Sequence, residues 1–235
     1  MRGLLRPARQ ATYESLFGTV YTALLTNVLL ALTCAPLLAA LAVVRDPLAS
    51  WPFFAVLSLP CAPALTGAFA CFATLGEAPP AGVARTFWRA YRRSAPRALA
   101  TWTAGTAIVA VLVLDAVIVS RTPWGPALVP FFATAAVLTV ATVLALLVLA
   151  SEPRPGRSPD VRPGRSHGTV LPCLYLVARR WYLAPVVVAV LGLTAAVVLA
   201  KPLIGLLLAC SPLLYAAWAT TRFIVAPLLP DGAPA

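Results

Sequence analysis

Residues 122–151 read TPWGPALVPFFATAAVLTVATVLALLVLAS, and this stretch contains no charged side chain. A helix needs about 20 apolar residues to cross a hydrocarbon core about 30 Å thick. The stretch is therefore long enough to span a membrane, and five other long apolar stretches contain at most one charged residue each. The six predicted spans are residues 16–44, 52–75, 98–120, 124–150, 181–200 and 202–222. The sequence thus predicts an all-α membrane protein with a single polytopic domain.

The composition excludes an ordinary soluble domain. Hydrophobic residues make up 61% of the chain and its mean hydropathy is +0.90, whereas soluble domains are nearer 45–50% apolar. The net charge of +11 does not indicate a nucleic-acid partner, because the arginines stand beside the apolar stretches. Membrane phosphates are the nearer partner for such arginines, and the lipid bilayer is the partner that this pattern predicts.

The orientation follows from the positions of the basic residues. Fifteen of the eighteen lie before the first predicted span, between spans two and three, between spans four and five, or after span six. Only Arg45, Arg121 and Lys201 lie on the other side. Loops rich in arginine and lysine stay in the cytoplasm, so both termini are predicted to be cytoplasmic.

Two cytoplasmic segments have a distinct pattern. Residues 81–95 predict an amphipathic helix that lies on the membrane surface, with Pro96 at the turn into span three. Its candidate lipid or partner contacts are aromatic and basic: Phe87, Trp88, Arg89, Tyr91, Arg92 and Arg93. Residues 152–168 contain Arg-Pro-Gly-Arg-Ser twice and predict a flexible cytoplasmic loop.

The motif Cys-x-Pro occurs three times within the predicted spans. Its members are Cys34 and Pro36, Cys61 and Pro63, and Cys210 and Pro212. Each cysteine is predicted to lie about 12–15 Å below the outer surface, so three thiolates facing one another would suit a soft metal such as Cu(I). Kinked and closely packed helices explain the motif more simply, and neither a metal nor a cofactor is predicted.

Few polar groups lie within the spans. Asn27 and Asp115 are the main candidates for an intramembrane polar site, because polar residues there tend to face protein or water. Enzyme signatures are missing: the chain has one histidine, His167, and no phosphate-binding loop, zinc-binding motif or pair of intramembrane carboxylates. A non-enzymatic protein is therefore predicted.

Residues 58–65 (SLPCAPAL) and 85–93 (RTFWRAYRR), together with Asn27 in the first span, resemble the YesL-like family of bacterial membrane proteins. The resemblance covers residues 20–105. In that family a proline-containing span of small residues precedes a short aromatic and basic segment. The interval between Pro36 and Pro60 is longer here than the family pattern has it.

The resemblance implies an accessory or scaffold role beside a carbohydrate uptake system in the bacterial cytoplasmic membrane. ABC transporter subunits, or further copies of this chain, are the partners it suggests. Two alternatives stay open: a self-contained small-solute transporter with a pathway near Asn27 and the Cys-x-Pro motifs, and an ABC permease subunit. No residue singled out above decides among them.

Overall fold

The computed structural model describes residues 6–44, 50–75, 82–152, 167–200, 205 and 209–229, and every regular element within them is helical. In chain order the helices are α1 (Arg6–Thr33), α2 (Ala35–Val43), α3 (Trp51–Leu57), α4 (Cys61–Ala73), α5 (Val83–Val119), α6 (Gly125–Ser151), α7 (His167–Arg179), α8 (Ala184–Ala200) and α9 (Cys210–Val225). A 3-10 turn, Trp181–Leu183, precedes α8, and another, Ala226–Leu228, follows α9. The predicted all-α class is confirmed.

The described helices support three to five membrane spans. Val83–Val119, Gly125–Ser151 and Trp181–Ala200 are each long and apolar enough to cross a membrane. Two further pairs, α1 with α2 and α3 with α4, qualify if each bent pair is one span. The sixth predicted span begins among residues outside the described part, and α9 covers its remainder from Cys210. The protein is therefore membrane-embedded, and the count of six stays a prediction.

Helix α4 lies at the centre of the bundle. Ten of its thirteen residues are buried, and it packs against α1, α5 and α6. Small side chains such as Ala62, Ala64 and Ala68 line it and are fully buried. Because small residues let helix backbones approach closely, α4 can be surrounded on several sides.

Helix α5 faces outward over most of its apolar length. Only 6% of its most apolar window is buried, and side chains such as Ile108, Val111 and Ile118 are at least half exposed. A surface this apolar is typical of contact with lipid or with another apolar protein surface. Its inner side packs on α6, where Gly105 lies directly against the Val143 side chain.

The prediction of a separate surface helix over residues 81–95 is wrong. α5 runs without a break from Val83 to Val119 and includes Pro96 in its interior. A proline removes one backbone hydrogen bond, and this alone does not end a helix whose flanks are held by neighbouring helices. The first part of α5 is held in this way by α4.

The Cys-x-Pro motifs mark helix starts. α1 and α2 meet at Cys34 with a bend of 69°, and α3 and α4 meet across Ser58 to Pro60 with a bend of 44°. α9 begins at Cys210. At the first two places the proline lies in the first turn of the new helix, where its missing N–H has no helical partner to lose. Pro212 lies in the first turn of α9, which begins directly after the π-helical residue Ala209.

Helix α7 was not predicted. Residues 153–166 of the predicted loop lie outside the described residues, and α7 begins at His167. Cys173 and Val177 of α7 are fully buried, and the helix packs on α6 and α9. Burial raises the pKa of the Cys173 thiol to about 11, so it stays neutral at physiological pH.

Candidate functional site

The most distinctive surface of the described chain is a row of arginines at the start of α5. We call Arg85, Arg89, Arg92 and Arg93, with Trp88 beside them, the arginine face. All five residues are exposed, and together they line an open groove of about 520 Å³. At 100° and 1.5 Å per residue, the arginines occupy about 100° of the helix circumference and about 12 Å of its length.

The opposite side of the same segment packs against α4. Phe87 is fully buried, and its ring lies so close to Gly67 that a Cβ there would be 2.9 Å from two ring carbons. Two helical turns after Phe87, the hydroxyls of Ser94 and Thr66 form a buried hydrogen bond. Since one side of α5 is fixed against α4 in this way, the arginines must point away from the bundle.

The aromatic residues of this segment divide between the interior and the surface. The Phe87 and Tyr91 rings stack with centroids 6.3 Å apart, and Trp88 contacts both rings edge-on. Phe87 therefore belongs to the core and cannot be a surface contact as predicted. Trp88 is 37% exposed, and Tyr91 is half-buried between the two environments.

None of the four arginines has an ion-pair partner among the described residues. The ion pair found in that part of the chain joins Arg222 Nε to Glu152 Oε1 at 3.2 Å. α5 and α6 form an antiparallel hairpin, so this pair lies at the same end of the bundle as the arginine face. The arginine face is thus a local excess of positive charge with room for an anionic ligand.

Two other arginines at this end, Arg180 and Arg222, contact aromatic rings and polar groups of the protein. These contacts were not predicted from the sequence. Arg222 lies over the Trp218 ring at 5.1 Å, one helical turn away on α9. Arg180 lies over the Phe223 ring at 4.4 Å and donates a hydrogen bond to the Phe223 carbonyl oxygen. The spacing of Trp218 and Arg222 is a signal that the sequence contains, since residues four apart meet on a helix.

The three Cys-x-Pro cysteines do not form a metal site. The Cys34 and Cys61 side chains lie within hydrogen-bonding reach of each other, and Cys210 is in electrostatic range of Cys34. Nevertheless, the described residues contain no group of three histidine, cysteine or acidic side chains able to hold a metal ion. All five cysteines are free thiols. The motif is therefore associated in this structure with the bends and starts of helices.

The prolines of the motifs differ in their surroundings. Pro63 is buried within α4, whereas Pro36 and Pro212 are exposed on the sides of their helices. A proline on the exposed side leaves the core packing unchanged. All three prolines lie in the first turn of an α-helix, but they do not line one common cavity.

The two intramembrane polar candidates lie far apart in the fold. Asn27 is 1% exposed on α1, next to the fully buried Thr26. Asp115 is half-buried near the far end of α5, and no ion pair joins it to the exposed Arg121. These residues do not converge on one site.

A comparison of the whole chain with protein-family models, with curated proteins and with solved structures finds no match.

Proposed function

We propose that this chain is a non-enzymatic accessory or scaffold component of a carbohydrate uptake system in the bacterial cytoplasmic membrane. In this proposal both termini and the arginine face lie on the cytoplasmic side. The resemblance to YesL-like proteins supports the association with sugar uptake, and the excess of arginines at one end of the bundle supports the orientation. The arginine face is the surface through which the protein makes its cytoplasmic contacts.

The observation that carries the proposal is the exposure, on one continuous helix, of four arginines that have no ion-pair partner among the described residues. A flexible loop would pay an entropy cost to present these charges, whereas α5 holds them in place through Phe87 and Ser94. Positive charge that is displayed but not internally neutralised is typical of a contact surface. The arrangement offers no nucleophile or paired acid and base, so it supports binding and not catalysis.

The test is recovery of partners from native membranes. The tagged chain is purified in a mild detergent, and proteins bound in near-stoichiometric amounts are identified by mass spectrometry. We expect ABC transporter subunits with the wild type, and their loss with Trp88→Ala combined with Arg92→Ala. Arg121→Ala is the control, because this exposed arginine lies at the other end of the bundle. Recovery of the chain alone would overturn the accessory role.

The alternative is a self-contained small-solute transporter, and one observation favours it. Buried polar side chains gather on α1 where it faces α4 and α9, including Thr22, Thr26 and Asn27, and Ser211 donates a hydrogen bond to the Ala23 carbonyl oxygen at 2.9 Å. Uptake of a labelled solute by vesicles containing only this chain, abolished by Asn27→Ala, would support this alternative. An ABC permease subunit would instead require ATP hydrolysis by a partner that depends on this chain.

A further inference from the structure

We propose that the arginine face binds the headgroup of an anionic phospholipid that carries two phosphate groups. This inference rests on the proposal that the arginine face makes the cytoplasmic contacts of the chain, and it names the ligand. The open groove of about 520 Å³ is lined by the side chains of four arginines and by Trp88. Guanidinium groups present parallel N–H donors that match phosphate oxygens, which makes phosphate the favoured anion.

The position of the arginine face along α5 favours a lipid over a soluble phosphate. The helix continues from Arg97 directly into residues 98–114, which carry no charge. At 1.5 Å per residue, Arg93 lies about 6 Å and Arg85 about 18 Å from Arg97 along the axis. Arg92 and Arg93 therefore lie at the depth of the lipid headgroups, which extend about 5–8 Å beyond the hydrocarbon core, and Arg89 and Arg85 continue the row on the cytoplasmic side of them.

Trp88 gives independent support for a lipid headgroup. Its side chain is 37% exposed, and its ring edge packs on Phe87 and Tyr91. An indole with one side packed on apolar rings and the other side open is typical of the membrane interface. A soluble anion gains nothing from this apolar edge, whereas the apolar part of a lipid can pack against it.

The number of arginines indicates two phosphate groups. A phosphodiester has two free oxygens and is saturated by about two guanidinium groups in bidentate contact. Arg85, Arg89 and Arg93 follow one another at intervals of one turn, and Arg92 lies three residues after Arg89, so the row offers four guanidinium groups, about twice the number that one phosphodiester uses. Because no acidic side chain in the described chain neutralises them, a ligand with two charges removes more repulsion than one with a single charge.

The experiment titrates lipids into the purified full chain in detergent and counts bound molecules by native mass spectrometry. The probes are cardiolipin, which has two phosphates, phosphatidylglycerol, which has one, and soluble glycerol 3-phosphate. We expect cardiolipin to bind at least tenfold more tightly than phosphatidylglycerol. We also expect glycerol 3-phosphate at equal concentration not to displace it.

The matched variants each remove two positive charges. Arg89→Gln with Arg92→Gln changes the arginine face, and Arg121→Gln with Arg179→Gln changes two exposed arginines outside it. Each arginine near a phosphate contributes about fivefold, so the first pair should weaken cardiolipin binding about 30-fold. The second pair should change it less than threefold. Should the first pair fail to fold, Arg85→Gln with Arg93→Gln replaces it.

Three results would overturn the inference: equal affinity for cardiolipin and phosphatidylglycerol, equal losses in the two double variants, or displacement by glycerol 3-phosphate. The purified chain carries no partner protein. Failure of lipid binding therefore leaves the recovery of transporter subunits untouched, and failure of that recovery leaves the lipid result standing.

Discussion

Replacement of Gly67 by alanine tests the contact that orients the arginine face. The new Cβ would lie 2.9 Å from Phe87 Cδ2 and Cε2 and 3.2 Å from its Cγ, which is closer than carbon atoms pack. Phe87 is fully buried, so its ring cannot swing into open space. Overpacking of this kind lowers the free energy of unfolding by about 1–3 kcal/mol.

The matched control is Gly192→Ala on α8, where an added Cβ meets no atom within 4 Å. Both substitutions replace a glycine inside a helix and gain about 1 kcal/mol of helix propensity. The difference between the two variants therefore isolates the clash, and we expect Gly67→Ala to be about 1–3 kcal/mol less stable than the control. The assay is unfolding by SDS in mixed micelles, followed by tryptophan fluorescence.

A second variant attributes the loss to the Phe87 ring. In the Phe87→Leu background the alanine at position 67 no longer meets ring carbons, so the penalty should shrink by at least about 0.5 kcal/mol. If Gly67→Ala is as stable as Gly192→Ala, the start of α5 does not pack on α4. The direction of the arginines would then have no structural basis.

Three other predictions follow from contacts in the described bundle. Gly105→Ala should lower stability by about 1–3 kcal/mol because its Cβ would overlap Val143, and Val143→Ala in the same chain should restore most of it in the same SDS assay. Glu152→Gln should lower stability by about 1–2 kcal/mol, since Arg222 then keeps a mostly buried charge without its partner; the variant that removes both charges should lose less. A reporter enzyme that works only outside the cytoplasm should be active when it is fused after Arg121. Activity of a reporter that works only in the cytoplasm, fused at the same place, would contradict the orientation.

The sequence was sufficient for the spans that hydropathy alone defines. The predicted span 124–150 corresponds to α6, Gly125–Ser151, and the predicted span 181–200 to Trp181–Ala200. In both cases the boundary is a change from apolar to polar composition within a few residues. Such boundaries are local, so no knowledge of the neighbouring helices is needed to find them.

The continuity of α5 was not predictable in the same way. Pro96 and the arginines before it favour a break, and the contacts that keep the segment in line join residues 20 or more positions apart, such as Gly67 with Phe87 and Thr66 with Ser94. Tertiary contacts override local preference here. The bend of 69° at Cys34 is a similar case, because Pro36 marks a helix start but does not set an angle.

For residues 81–95, the side chains that the sequence predicted as surface contacts are divided in the structure between the core and the surface. Phe87 and Trp88 were both predicted as contacts, whereas Phe87 is buried with Val83 and Ser94, and Trp88 lies at the edge of the arginine face. Ser94 would not be placed in a core from its polarity. Its hydrogen bond with Thr66 satisfies both hydroxyls inside the bundle, and this pairing is invisible in a one-dimensional pattern.

The bond between Thr66 and Ser94 belongs to a seam that runs along α4 and α5. Towards one end of the seam Phe87 packs on Gly67, and towards the other Trp102 donates its Nε1–H to Ser58 Oγ at 3.0 Å. Ser58 lies in the turn where α3 bends into α4, so the same α5 helix contacts this bend and carries the arginine face. A ligand that orders the arginine face therefore stabilises a helix that also supports the bend, about 15 Å or more away along the axis. This continuous packing gives the arginine face and the bend between α3 and α4 a physical route for coupling.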